Sequence, residues 1–207
     1  MIAIVDYGMA NLRSVEKALE RVGAEPVITS DPATVAKADR VVLPGVGAFG
    51  AAMKNLQRTG LHEAVLGSIR AGKPFLGICL GLQMLFEESD EMGKTPGLGL
   101  LPGRVVRFFE NGRPAGADDL KVPHIGWNEL RFPRPTRIFK GIPEGAHVYF
   151  VHSFYPEVAS AEICAATCDY GGSFCCAIEK ENVAATQFHP EKSGDVGLHI
   201  LRNFTTF

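Results

Sequence analysis

The chain has no apolar run approaching the roughly 20 residues that span a bilayer, which argues against a membrane helix. It also lacks charge of one sign. The formal net charge is −2, so nothing in the sequence offers a broad electrostatic grip on nucleic acid or anionic lipid. Cysteine is sparse and odd in number, five in 207 residues, without the dense spacing of a disulfide framework. That usage suits a reducing compartment, and the reading is cytoplasmic. The opening Met1-Ile2-Ala3-Ile4-Val5-Asp6 has neither the basic start nor the long apolar core of a signal peptide; it reads as a first strand. Cys164, Cys168, Cys175 and Cys176 contain no paired C-x₂-C set, and no metal or other cofactor is expected. On a strand-like segment, Cys164 and Cys168 fall on one face by even spacing. Internal repeats, low-complexity tracts and polar linkers are absent too, which points to one domain over residues 1–207.

What is present is an alternation of strand and helix patterns. Ile2 to Asp6 is strand-like, Leu12 to Val22 helical, and Gly23 stands where a helix C-terminus favours glycine. Short strands at Pro26–Thr29 and Arg40–Leu43 flank a helical Pro32–Lys37. After a loop, Pro44-Gly45-Val46-Gly47, helical pattern covers about Ala48 to Arg70. The strand Pro74–Cys79 and a helix over Leu82–Glu88 follow. Such repeated units imply parallel strands joined by right-handed crossovers. Beyond Gly93, β-like segments at Arg104–Phe109, Val148–His152, Glu162–Cys168, Ser173–Glu179 and Val183–Phe188 read as antiparallel additions to the same sheet. Leu198, Leu201 and Phe204 form a final helical stripe. The expected fold is a three-layer α/β sandwich with a mostly parallel central sheet.

Cys79 stands between two glycines, in Gly77-Ile78-Cys79-Leu80-Gly81, at a strand-to-helix junction. Two readings fit: a buried structural cysteine closing a core strand, or a nucleophile elbow with the thiol at the tip of a sharp turn. In the second, the glycines are required because a Cβ would clash, and the following helix favours thiolate. A nucleophilic cysteine needs a base. His62 and His199 lie in amphipathic helical stretches. His189, in His189-Pro190-Glu191, follows a late strand, has φ fixed after it by proline, and has a carboxylate two residues on to orient its ring. The Leu80 N–H is the natural first oxyanion donor, and the Pro44–Gly47 loop, through Val46 and Gly47, could bring a second. Gln83, one helical turn past Cys79, can face the same cleft.

Cysteine, histidine and carboxylate in that order, with a glycine-rich loop upstream, resemble the class-I, triad-type glutamine amidotransferases. Within that family the glutaminase subunits of imidazole glycerol phosphate synthases are most similar. The segments that match them are Asp6-Tyr7-Gly8 with Asn11-Leu12, Pro44-Gly45-Val46-Gly47, Gly77 to Gln83, Pro123-His124-Ile125-Gly126-Trp127-Asn128, Tyr149-Phe150-Val151-His152-Ser153 and His189-Pro190-Glu191-Lys192-Ser193. The resemblance runs from the first strand to the last helix. It implies a flavodoxin-like α/β fold and hydrolysis of the glutamine carboxamide through a Cys79 thioester, with His189 as acid and base and Glu191 as its orienter. It further implies glutamine contacts from Gly47, Gln83, Glu91, Ser153 and Phe154, with Glu91 near the helix end pairing with the substrate ammonium. The implied partner is a (β/α)8-barrel cyclase subunit, in a heterodimer, that receives the ammonia in histidine biosynthesis. Asn11, Trp127, Tyr149 and Lys192 match positions at that interface, Trp127 in a Gly-Trp-Asn loop. His124 and His152 are given no catalytic role. Ala10 and Gly194 depart from the family pattern, at sites that do not touch the triad. The alternatives left open are the glutaminase of another synthase, a γ-glutamyl hydrolase, and an inactive partner-binding subunit.

Overall fold

A computed structural model describes residues 1–207. The first half runs β1 (Ile2–Val5), α1 (Leu12–Arg21), β2 (Pro26–Thr29), α2 (Pro32–Lys37), β3 (Arg40–Gly45), α3 (Phe49–Arg58), α4 (Leu61–Arg70) and β4 (Phe75–Cys79). A one-turn α5 (Leu80–Gln83) leads into β5 (Phe86–Ser89), β6 (Thr95–Pro96), β7 (Leu101–Arg107), β8 (His124–Glu129), β9 (His147–His152) and β10 (Phe154–Val158). The chain ends with β11 (Cys164–Asp169), β12 (Ser173–Lys180), β13 (Val183–Thr186) and α6 (Gly194–Thr205). None of the helices is long and apolar enough to cross a membrane.

Seven strands form the central sheet in the order β11-β12-β13-β4-β3-β1-β2. From β2 to β13 every pairing is parallel, while β12 and β11 extend that edge antiparallel. The parallel strands are apolar on both faces because helices cover both. Ala3 and Val5 of β1 enter one apolar cluster with residues of α2, α3 and α4; Ile2 and Ile4 enter the other with residues of α1 and α6. Alternate side chains of a strand point to opposite faces, so one short segment stitches three layers together. Helix boundaries follow local chemistry. Asp31 caps α2 by accepting from the Ala33 and Thr34 N–H groups, with Pro32 at the first helical position. Gly23 takes φ +84° just past α1.

Four expectations are corrected. The first concerns the helix expected over Leu82–Glu88, which is only the single turn α5. Met84 O, which a helix reaching Glu88 would offer to the Glu88 N–H, accepts from Leu98 instead, and beyond it Glu87 O accepts from Gly97 N–H, Phe86 O from Gly99, and Leu85 O from Leu100 and Leu101. Residues 97–101 therefore pull this segment into strand β5. Second, the later strands do not all join the central sheet. β10, β7, β5 and β6 make a separate four-stranded sheet, and β8 pairs with β9 as a two-stranded ribbon. β7 cannot join the main sheet because β10 and β5 occupy both of its edges. Third, Trp127 lies within β8 rather than in a loop, and Pro44 and Gly45 continue β3 rather than opening the following loop. Fourth, Cys164 and Cys168 face opposite sides. A register shift in β11 between Cys164 and Thr167 flips the alternation, placing them in different apolar clusters.

Candidate active site

The ends of three neighbouring parallel strands converge. Cys79 closes β4, Val46 and Gly47 follow β3, and His189 lies just past β13. Clefts beyond the carboxyl ends of parallel strands are where α/β sheets hold ligands. Here a cavity of about 330 Å³ is lined by Cys79, Leu80, Gln83, His152, Phe154 and His189, with Val46, Gly47, Glu91, Pro123, Val151 and Ser153 around it.

Cys79 has φ 55° and ψ −107°, a conformation costly for any residue with a Cβ. The flanking glycines make room for it. A Cβ on Gly81 would lie 1.8 Å from the Leu43 carbonyl oxygen, and one on Gly77 would lie 2.7 Å from that of Gly81. Both obstacles are backbone, which cannot rotate aside. We expect Gly81→Ala to lower unfolding stability by about 3 kcal/mol or more, read as a reduced urea midpoint with unchanged slope. A wild-type midpoint would mean the elbow yields to the methyl group. α5 has only one turn, so no long helix dipole ends at Cys79, and the Cys79 side chain accepts no capping hydrogen bond from that turn.

His189 Nδ1 lies 2.8 Å from Glu191 Oε1, with the two side chains 3% and 1% exposed. Nε2 is buried and makes no hydrogen bond. Burial opposes charge on the ring, but the neighbouring Cys79 sulfur and the Glu191 carboxylate more than offset it, raising the pKa to about 10. The ring thus carries its proton at neutral pH, beside the one cysteine in the cleft. Ser193 braces this corner: its Oγ donates to His189 O (2.6 Å) and accepts from Tyr149 N–H (3.0 Å).

The remaining expected residues divide. Leu80 lines the cleft at the first helical position. The Val46 N–H does not face a reacting oxygen, since it donates to Met9 O at 2.9 Å. Gly47 takes φ +91°, open only to glycine at low cost. Gln83 is buried and donates to Phe154 O (2.9 Å) and Gln187 Oε1 (3.1 Å). Glu91 borders the cleft, but it follows a strand rather than ending a helix. Its Oε2 accepts the Phe49 N–H (2.6 Å), capping α3, whose own Ala48 has no capping side chain. Ser153 and Phe154 also line the cleft. Trp127 is 55% exposed, with its ring 6.2 Å from that of Tyr149, and Lys192 Nζ lies 5.9 Å from the Tyr149 ring centroid. These three form one surface row. Asn11 is exposed at the start of α1, where its Oδ1 accepts from the Ser14 hydroxyl.

Two residues went unread in the sequence. Gln187 is fully buried and its amide points at Cys79 Sγ (3.7 Å). The polar pair Thr186-Gln187, set between Ala185 and Phe188 in an otherwise apolar run, was the available signal. Tyr7 packs behind the elbow with an unpartnered buried hydroxyl, and burial together with the nearby Cys79 raises its pKa. A cysteine, a cationic histidine held by a carboxylate, and nearby backbone N–H groups are the parts of acyl transfer.

The chain is similar to known proteins over nearly its whole length. Residues 3–206 match the family model described as glutamine amidotransferase class-I. The imidazole glycerol phosphate synthase subunit HisH of Syntrophotalea carbinolica is 55% identical, covering 99% of this chain and 98% of its own. HisH of Geobacter sulfurreducens is 54% identical over 98% of this chain and 97% of its own. Among solved structures, PurLQS from Thermotoga maritima superposes with a TM-score of 0.75 at 20% identity, covering 99% of this chain and 97% of that one; it supports the fold alone.

Proposed function

This chain belongs to the class-I glutamine amidotransferases, and from that membership we propose that it is the glutaminase subunit of an imidazole glycerol phosphate synthase. It hydrolyses L-glutamine and delivers ammonia to a (β/α)8-barrel cyclase subunit. The observation that carries this reading is the strained Cys79 sharing one cleft with the buried His189–Glu191 pair. A cytoplasmic setting goes with it, which five unpaired cysteines favour.

The Cys79 thiolate attacks the carboxamide carbon, and the carbonyl oxygen takes the charge. His189 then gives its Nε2 proton to the leaving nitrogen, the C–N bond breaks, and ammonia departs from a γ-glutamyl thioester. Next, His189 takes a proton from water as the water attacks that thioester. The C–S bond breaks, glutamate leaves, and the thiolate is restored. Glu191 keeps the proton-bearing Nδ1 turned away from the reaction throughout. Trp127, Tyr149 and Lys192 form the docking row for the cyclase, Asn11 contributes to the same interface, and Glu91 takes the substrate ammonium.

The oxyanion is the incomplete part. Leu80 N–H supplies one donor, whereas the Val46 N–H is held by Met9 O. A peptide rotation must release it, after which the N–H can point into the cleft. One missing oxyanion donor slows turnover about 10²–10³-fold. We therefore expect glutamate release by the isolated chain to rise by that factor when a matching cyclase and its nucleotide ligand are added. Turnover that ignores the cyclase would sink the subunit reading and leave a stand-alone hydrolase.

A further inference from the structure

Two buried histidines outside the triad sit directly opposite one another on β8 and β9. His124 pairs with His152 in register, and both are almost inaccessible, 3% and 6% exposed. His124 Nδ1 lies 3.1 Å from His152 Nε2, and His152 Nδ1 lies 2.8 Å from Phe154 O. The proton positions follow from the partners. A carbonyl oxygen only accepts, so His152 Nδ1 carries hydrogen and its Nε2 accepts. His124 Nδ1 must then donate, which leaves His124 Nε2 as an acceptor. The available donor is Asn128 Nδ2, at 3.4 Å, whose other hydrogen goes to Asp169 O at 2.8 Å. The Asn128 amide is oriented because its Oδ1 accepts the Glu129 N–H. Every hydrogen bond in the chain thus runs in one direction, from β8 toward the cleft.

The surroundings keep both rings neutral. Tyr170 stacks on His124 with centroids 3.9 Å apart, Phe150 stacks on the same ring at 4.8 Å, and Phe108 lies 5.1 Å from His152. Burial in this aromatic setting lowers the pKa of His124 to about 4 and of His152 to about 3. The chain ends on a group that matters. Phe154 O accepts from His152 and also from Gln83 Nε2, and Gln83 continues through Gln187 to Cys79 Sγ.

We propose that His124 and His152 are positioning residues, a one-way pair whose hydrogen bonds fix the Phe154 carbonyl and with it the Gln83 and Ser153–Phe154 wall that receives glutamine. The inference rests on the glutaminase reading. Neither ring reaches the reacting atoms as acid or base; their work is to hold one face of the substrate site in a single arrangement.

The test compares His152→Phe with His152→Asn in the complex with the cyclase. Phenylalanine keeps the ring and loses both nitrogens. Asparagine loses the ring but places an amide N–H where imidazole Nδ1–H stood. For His152→Phe we expect KM for glutamine to rise about tenfold, the worth of one lost hydrogen bond, with kcat changed less than about threefold. For His152→Asn, KM should return to within about threefold of wild type. Alkylation of Cys79 by iodoacetamide should keep its wild-type rate in both. An unchanged KM in His152→Phe, a fall confined to kcat, or no recovery in His152→Asn would each overturn the inference. Should His152→Phe fail to fold, nitrogen NMR of the wild-type chain decides. Both rings are expected as neutral Nδ1–H tautomers between about pH 6 and 8, and an Nε2–H tautomer or an imidazolium in either ring overturns the assignment. A wild-type complex that releases no glutamate would instead bring down the glutaminase reading and this inference together. That outcome is distinct because no wild-type rate would exist to compare.

Discussion

Cys79→Ala is expected to abolish glutamate release, by at least about 10⁴-fold in kcat with the cyclase bound, because no other group in the cleft can form the thioester. Stability at this position should respond to substitution as well. Cys79 holds φ 55° and ψ −107°, strain that any residue with a Cβ shares and that glycine escapes. Such strain costs of order 1–3 kcal/mol, against about 0.5–1 kcal/mol of extra chain entropy for glycine. Cys79→Gly should therefore be more stable than Cys79→Ala by about 1 kcal/mol while equally inactive. Urea unfolding of the two variants, with glutamate assays beside them, tests both halves. Residual turnover in either variant would remove Cys79 as the nucleophile. Equal stabilities would show that the elbow is relaxed.

Glu191→Gln should be nearly as damaging. Glutamine fills the same space but brings no charge, and its amide can present a donor to His189 Nδ1, favouring the wrong tautomer. In Ser-His-Asp triads the corresponding loss costs about 10⁴-fold in kcat, and a comparable drop is expected here. The variant also has a pH signature. The His189 pKa is raised to about 10, so protonated His189 favours the folded state. That contribution is fully present below the ordinary histidine pKa of about 6.5 and is lost as pH climbs through about 10. Removing the Glu191 carboxylate lowers the folded-state pKa. The stability gap between wild type and Glu191→Gln should therefore be widest near pH 6 and close toward pH 10. Chemical denaturation across that range measures it, and a gap that widens with pH would contradict the charged pair.

Much of this was legible before any coordinates. The parallel half declares itself because β1, β3 and β4 are buried on both faces, which forces continuous apolar runs bounded by glycine and proline. Cys79, His189 and Glu191 were readable because each sits at a strand exit with chemistry out of place in a core. What was hidden depends on partners distant in sequence. Phe86 to Ser89 has helix-compatible residues and becomes a strand only because residues 97–101 claim its carbonyls. The cysteine spacing in β11 misled because a bulge is set by the opposing strand, not by the alternation itself. Trp127 looked like a loop residue beside Gly126, yet its strand exists only through pairing with Tyr149. The separation of β5, β6, β7 and β10 into their own sheet likewise follows from edge pairing that no local pattern encodes.

The carboxylate of Glu91 belongs to two structures at once. One oxygen secures the first N–H of α3, and the side chain also borders the cleft where an amino acid's ammonium would rest. Phe49 is two residues from Gly47, so the turn proposed to swing is held at both ends, by Met9 O on the Val46 N–H and by Glu91 on the Phe49 N–H. An ammonium that drew Glu91 toward itself would slacken the second of these ties. On the proposed function, substrate binding and the freedom of that stretch of backbone would then meet at one carboxylate.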